Sequence, residues 1–337
     1  MDILCHNTTH PLVTIGVPTY NSEMYLKSAL DSIAAQSYKN FEVIISDNGS
    51  TDNTYEIVKA YATKYGWTHS QNSGNIGAVK NFNRLIALSS GRYVAIYHAD
   101  DIYDSCIIEE CVKVLENDSE IALVGTLCRI IDKDNRITRH VTLPPTIADL
   151  RRVKYSFDES LLGVLHDRHI FFATPSIMVR KRAYSEVGTF SEDLQYRSAA
   201  DYEMWLRIAR HASVAVVPKP LLSYRVHEGQ GSQTEIRNSL EIPDILLVLR
   251  VYLKWLSDKE VRDLAISYIC RYTVITAIKQ NMRGRFEDSN RTLKGLKGKW
   301  AASSTMISWL NDRGFRIRYA VGRTLYRVFV KMRHLFD

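Results

Sequence analysis

"EVIISDNGSTDNT", residues 42–54, changes character in its middle. Val43, Ile44 and Ile45 form the β-branched run of a buried strand. Asp47, Asn48, Gly49 and Ser50 then break it with turn chemistry. Asp52 or Asn53 suits the N-cap of a following helix, whose inner face carries Val58, Tyr61, Ala62 and Tyr65. The same unit of strand, polar loop and helix recurs on both sides. Upstream, "PLVTIGVP" (11–18) reads as a strand ended by Pro18, followed by the turn "TYNS". Leu26, Leu30 and Ile33 then recur at helical spacing. Downstream, "GWTHS" (66–70) can hold a short strand, and "QNSGNIG" (71–77) leads into a helix. Gly91 stops that helix, and "YVAIY" (93–97) is the next strand.

This alternation predicts an α/β fold: a mixed, mostly parallel sheet with helices on both faces. In open sheets of that kind, ligands bind at the carboxyl ends of the strands. "TYN", "SDNGS" and "HADD" should therefore converge on one edge. From about Glu235 the pattern is helical, with a boundary near "EGQGSQTEIRN" (228–238). The expected division is an α/β domain over 1–234 and a helical region over 235–337.

The chain has 337 residues, 45% hydrophobic and 24% charged, as expected of a globular protein with a real core. Its N-terminus has no basic region followed by an apolar core, so no signal peptide is expected. No apolar run is long enough to predict a transmembrane helix. Cys5, Cys106, Cys111, Cys128 and Cys270 are scattered and form no C-x-x-C pair. That argues against a disulfide framework or a zinc site and suits a reducing cytoplasm. The net charge of +7 suits nucleic acid, an anionic membrane surface or phosphate-bearing substrates.

Three acids carry the chemical argument. Asp100 and Asp101 end an apolar strand, where paired carboxylates could hold a divalent cation together with substrate phosphates. The plainer reading is that they cap the helix that follows. Asp47 could accept hydrogen bonds from a base or ribose, although its loop alone favours a simple Asx-turn. Asp201, in "AADYEMWLRIA" (199–209), stands at a helix start, where the helix dipole favours the ionised form. It could serve as a general base, but read alone it is more simply an N-cap.

Taken together, the segments are more specific. "VPTYN" (17–21), "IISDNGSTDNT" (44–54), "NSGNIGAVKNFN" (72–83) and "HADD" (98–101) occur in order. Residues 176–209 and "YRVHEGQGS" (224–232) continue the series. The pattern, over residues 11 to 232, resembles family 2 inverting glycosyltransferases of the GT-A fold. The resemblance implies that 1–234 is a nucleotide-sugar-binding and catalytic domain, with a nucleotide-sugar site at Thr19, Tyr20, Asn21, Asp47, Asn75, Gly77, Lys80, Asp100 and Arg225. It implies a Mn²⁺ or Mg²⁺ site at Asp101 and His227, with Tyr224 alongside, and Asp201 as catalytic base. Two positions depart from the family pattern. His98 stands where an Asp is often found; imidazole suits Mg²⁺ poorly, and a packed strand residue is the preferred reading. Ala200 stands where a Glu often contacts the acceptor, which leaves the acceptor contact open.

The function this implies is transfer of a hexosyl or N-acetylhexosaminyl unit from a UDP-sugar, with inversion. The acceptor would be a glycan or lipid-linked saccharide in bacterial polysaccharide assembly. The alternatives are a non-catalytic nucleotide-sugar or glycan binder and a sugar nucleotidyltransferase. The latter would want a Gly-rich phosphate loop, which "GVPTYNSEMYLKS" (16–28) does not provide. Residues 241–280 read as two helices joined near Ser257, apolar enough to pack on the first domain or on a second copy in a homodimer. Residues 313–336 carry many cations and no acid. As a helix they would set Arg316, Arg323, Arg327, Lys331 and His334 against Val321, Leu325, Val328, Met332 and Phe336. Such a helix fits an anionic membrane surface, placing the protein peripherally on the inner face of the cell membrane. No RNA-type aromatic and basic motif is present, so nucleic acid is not an expected partner.

Overall fold

The structure, a computed structural model, describes residues 10–148, 153–167, 173–193, 196–228, 230, 243–296 and 298–317. The chain divides into two compact units. The first comprises Met1–Leu194 and Ala200–Glu228, the second Gln195–Ala199 and Gly229–Asp337.

The first unit runs β1 (Val13–Thr19), α1 (Leu26–Ala34), β2 (Phe41–Asp47), α2 (Thr54–Tyr65), β3 (Thr68–Gln71), α3 (Ala78–Leu88), β4 (Tyr93–Ile96) and β5 (Ile102–Tyr103). It continues with α4 (Ile107–Asn117), β6 (Ile121–Ile131), β7 (Ile137–His140), α5 (Pro145–Ala148), β8 (Lys154–Tyr155) and α6 (Phe157–Asp167). β9 (Met178–Arg180), α7 (Lys181–Val187), α8 (Ala200–Ala209) and β10 (Ser213–Arg225) complete it. The sheet order is β3-β2-β1-β4-β9-β6-β10-β5, with β7 on β6 and β8 on β10. β3, β2, β1 and β4 are mutually parallel, as the alternating pattern requires. β9 is antiparallel to both β4 and β6, and β10 is parallel to β6. β1, β2, β4, β6 and β10 therefore all point the same way, and their carboxyl ends share one edge.

Period-two alternation along the strands builds two cores. Val13, Ile15, Val17, Val43, Ile45 and Ala95 face one side, where Leu26, Leu30, Ile33, Val58, Ile107 and Leu115 cover them. Ile44, Val94 and Ile96 face the other, packed with Leu85, Ile86, Met204, Trp205 and Ile208. Each fully buried aliphatic side chain contributes about 1.5–3 kcal/mol of transfer free energy. α1 buries Leu26, Ala29, Leu30 and Ile33, one stripe at helical spacing.

β1 does not stop at Pro18, as its sequence suggests. It runs on to Thr19, opposite Asp47. Gly16 O accepts from Tyr97 N and Thr19 O accepts from Asn48 N, so even-numbered residues of β1 face β4 and odd-numbered ones face β2. Pro18 faces the β4 side, where the paired register ends at Gly16↔Ile96, so its missing N–H removes no ladder bond.

The second unit contains helices Asp244–Tyr252, Lys259–Met282, Phe286–Leu293 and Ala301–Asp312. Asp258 caps the second of these, its Oδ1 accepting from the backbone N–H groups of Glu260 at 2.7 Å and Val261 at 3.2 Å. The helix expected from Arg313 does not begin there, because Arg313 closes the preceding helix and Gly314 turns the chain at φ 66°. The remainder of that basic stretch, from residue 318, lies outside the described residues. Among the described residues, no helix is long and apolar enough to cross a membrane.

Candidate active site

The parallel register of β1 and β2 sets Thr19 beside Asp47. Asp47 is fully buried and accepts from Thr19 Oγ1 at 3.0 Å, Ser50 N at 3.0 Å, Ser50 Oγ at 2.5 Å and Gln71 Nε2 at 3.0 Å. It is thus the node that joins three loops, and more than a local turn. Asn21 extends the lacing. Its backbone sits at φ 46°, its N–H donates to Ser50 Oγ at 2.9 Å, and its Oδ1 accepts from Thr51 N at 2.9 Å. Tyr20 beside it is 47% exposed, leaving its ring face available.

An amide network holds the next loop. Asn48 Nδ2 donates to Asn75 Oδ1 at 2.9 Å, and Asn48 Oδ1 accepts from Ile76 N at 3.0 Å. Asn75 Oδ1 also accepts from Gly77 N at 2.8 Å, with Gly77 at φ 90°. Gly49 is required by contact as well as by its φ of 76°: a Cβ there would lie 2.7 Å from Gly74 backbone. Lys80 is exposed in the first turn of α3.

The carboxylates after β4 meet the carboxyl end of β10. Arg225 N donates to Asp101 Oδ1 at 2.8 Å, and Arg225 Nε donates to the Asp100 carbonyl at 2.7 Å. Asp101 is fully buried, and its Oδ2 has no hydrogen-bond partner among the described residues. Burial first, then the neighbouring charge of Asp100, pushes its carboxyl well above the usual range, while Arg225 opposes the rise. A bare, buried carboxylate oxygen is costly unless a cation meets it. His98, Asp100 and Asp101 each offer a ligand atom, all within 4.8 Å of one another. His98 stacks on Phe82 at 5.9 Å between ring centroids, yet its Nε2 is also buried and without a partner among the described residues. Burial lowers its pKa, favouring the neutral imidazole that binds metal, with Asp100 and then Asp201 acting in the opposite direction. The imidazole among these donors suits Mg²⁺ poorly.

His227 Nε2 lies 3.1 Å from Asp100 Oδ2, a hydrogen bond in which the ring N–H donates to the carboxylate. Arg225 is 1% exposed and serves as an internal tie. Its guanidinium donates to the Asp132 carbonyl at 3.1 Å and lies 4.4 Å from the Tyr25 ring centroid. Tyr25 also packs against His227, ring centroids 4.9 Å apart and planes tilted by 54°. The sequence offers no signal for this role of Tyr25.

Asp201, in the first turn of α8, accepts from Tyr202 N at 2.6 Å and from Thr174 Oγ1 at 2.7 Å. Thr174 Oγ1 in turn accepts from Trp205 Nε1 at 3.3 Å. That chain fixes the carboxylate's orientation. Thr174 lies 27 residues away in sequence, in a short 3₁₀ turn, and no motif marks it.

The sheet, its helices and the polar loops at the strands' carboxyl ends define a GT-A type α/β architecture. Residues 14–188 match the sequence profile of glycosyl transferase family 2. An uncharacterised glycosyltransferase of Rickettsia typhi is 32% identical over 238 residues, 70% of this chain and 70% of that protein. A Rickettsia bellii relative, 30% identical, is longer, the chain covering 31% of it. Staphylococcus aureus TarS, solved with UDP-GlcNAc, superposes with a TM-score of 0.66 at 17% identity, covering 95% of this chain and 91% of that one. The Pyrobaculum calidifontis mannosyltransferase PcManGT, solved with GDP-Man and Mn²⁺, gives 0.59 at 17% identity, over 96% and 85%. The chain belongs to glycosyltransferase family 2.

Proposed function

We propose that this glycosyltransferase moves a sugar from a UDP-sugar to a hydroxyl group of a glycan or lipid-linked saccharide, with inversion at the anomeric carbon. The observation that carries the reading is Asp101. One of its oxygens is tied to Arg225, the last residue of β10, and the other is buried and, among the described residues, bare beside His98 and Asp100. Those three residues would hold Mn²⁺, which supplies neutralising charge for a departing diphosphate. The binding of UDP-GlcNAc by TarS and of GDP-Man with Mn²⁺ by PcManGT supports a nucleotide-sugar donor.

The nucleotide lies across the carboxyl ends of β1, β2 and β4. Asp47 and Thr19 hold the base, Asn21 steadies their loop, and the exposed Tyr20 ring supports it. Asn75, Gly77 and Lys80 border the donor, and Asp100 contacts ribose or metal. Arg225 positions Asp101 from behind, and His227 closes on Asp100. Asp201 takes the proton of the acceptor hydroxyl as that oxygen attacks the anomeric carbon. The bond to the diphosphate oxygen breaks in the same displacement, and the diphosphate leaves with the electron pair. Thr174 holds the base in place, so that orientation supplies part of the acceleration. The basic C-terminal sequence supports work at an anionic membrane surface.

Calorimetric titration of UDP with Mn²⁺ tests the site. Wild-type protein should bind with metal-dependent affinity, and Asp101→Ala should lose that dependence. Equal binding by both would exclude a metal role for Asp101.

A further inference from the structure

A cavity lies at the opposite edge of the sheet, its rim carrying cations on a largely apolar lining. Gly91, Arg92, Arg180, Lys181, Arg182 and Ser185 line a space of about 340 Å³. Arg92 precedes β4, and Arg180 ends the reversed β9 directly across from Tyr93, the first residue of β4. Asp100 and Asp101 follow the other end of β4. This cavity therefore belongs to a different edge from the carboxylates.

The sequence Arg-Lys-Arg at a strand-to-helix junction puts three cations in succession around the opening. Arg180 is 4% exposed and rigidly held. It donates to the Ile121 carbonyl at 2.6 Å, the Tyr93 hydroxyl at 3.0 Å, the Asp118 carbonyl at 3.0 Å and the Leu115 carbonyl. Lys181 Nζ donates to the Ser89 carbonyl, and Arg182 Nη2 to the Ser119 carbonyl at 2.9 Å. Carbonyl oxygens orient these cations without cancelling their charge. Arg92 pairs with Glu116 at 3.3 Å, and both side chains are well exposed, so the pair is screened and weak. Asp118 and Glu120 pair with Lys154, and the Asp118 carboxylate also feels Arg180. Four cations thus surround the cavity, and of these only Arg92 forms an ion pair among the described residues.

We propose that this cavity is an anion site, separate from the transfer site, for a molecule carrying one or two phosphate groups. Planar guanidinium forks match phosphate oxygens, and several cations together favour a multiply charged group over a single carboxylate. The volume falls in the range of about 300–1,000 Å³ typical of small-molecule sites, more than a lone ion needs. The phosphate can come from a lipid headgroup or from a free phosphate compound. Either would anchor or regulate the enzyme from the far side of its sheet.

Inorganic pyrophosphate titrated into the full chain, without added divalent metal, tests this. Wild type and Asp101→Ala should bind alike, and Arg92→Glu/Arg182→Glu should bind roughly tenfold more weakly or worse, as loss of charge-assisted hydrogen bonds implies. Both arginines are exposed, and unchanged far-ultraviolet dichroism checks the fold; Arg182→Glu alone serves if the double variant is unstable. Absence of pyrophosphate binding, equal binding by the charge-reversed protein, or loss in Asp101→Ala would each overturn the proposal. Phosphatidylglycerol vesicles identify the source. Co-sedimentation that pyrophosphate competes away and Arg92→Glu/Arg182→Glu abolishes supports a lipid headgroup. Pyrophosphate binding without co-sedimentation supports a free phosphate compound.

Discussion

Replacing Asp47 by Ala removes the acceptor for four donors at once, and the structure says which of them suffer. Gln71 is exposed, so its amide turns to water at little cost. Ser50 is half-buried, and its hydroxyl also accepts from Asn21 N, so it recovers part of its bonding. Thr19 is 2% exposed, and its hydroxyl loses its acceptor outright. A buried orphan donor costs about 1–3 kcal/mol, and a lost charge-assisted bond from Ser50 about 1.5–3 kcal/mol. Allowing for partial recovery, the expected loss is about 3 kcal/mol. For a unit of this size each kcal/mol lowers the melting temperature by about 2–4 °C, so the transition should fall by about 6–12 °C. Scanning calorimetry measures it, with the intrinsic fluorescence of Trp67 and Trp205 reporting the unit that carries Asp47. A drop under about 2 °C would refute the assignment of Asp47 as the node of the three loops.

Other predictions follow from single contacts. Gly49→Ala forces a left-handed residue against the Gly74 backbone. It should destabilise the unit by about 1–3 kcal/mol and weaken UDP binding measured by calorimetry, and an unaltered affinity would separate this loop from the donor. Burial alone would raise the Glu42 carboxyl, but bonds from Ser90, Thr14 and the Ser90 and Gly91 backbone outweigh it, leaving the pKa lowered. A carboxylate with a lowered folded pKa contributes stability that is full above its unfolded value of about 4.3 and disappears as pH falls through the folded one. Urea unfolding of wild type and Glu42→Gln should therefore differ most near neutrality, the gap closing in acid; a constant gap would contradict the bonding pattern.

Much of this arrangement was readable because its signals are local. Val43 to Asp47 announces a buried strand that ends in turn residues, and the same grammar at 93–101 puts acids on a strand's carboxyl end. The resemblance then gave those acids their expected roles. What stayed hidden depends on contacts between distant segments. The three-residue β9, inserted antiparallel between β4 and β6, has no periodicity long enough to read. The orientation of Asp201 rests on Thr174, and the backing of Asp101 rests on a residue 124 positions away. Arg225, which the resemblance assigned to the nucleotide-sugar site, is buried, and Tyr25 and two carbonyls receive its guanidinium. His98 departs from the pattern of its apparent family; it stacks on Phe82, and its Nε2 has no hydrogen-bond partner among the described residues.

Asp201 as the base of sugar transfer at this edge is what the proposed mechanism stands or falls on. The direct measurement compares wild type with Asp201→Asn, recording steady-state transfer from the UDP-sugar that binds and, separately, donor affinity. Amide replaces carboxylate without changing shape, so donor binding should stay within about twofold while turnover falls by about 10²–10⁴. Near-normal turnover in Asp201→Asn, with the donor bound, would contradict it.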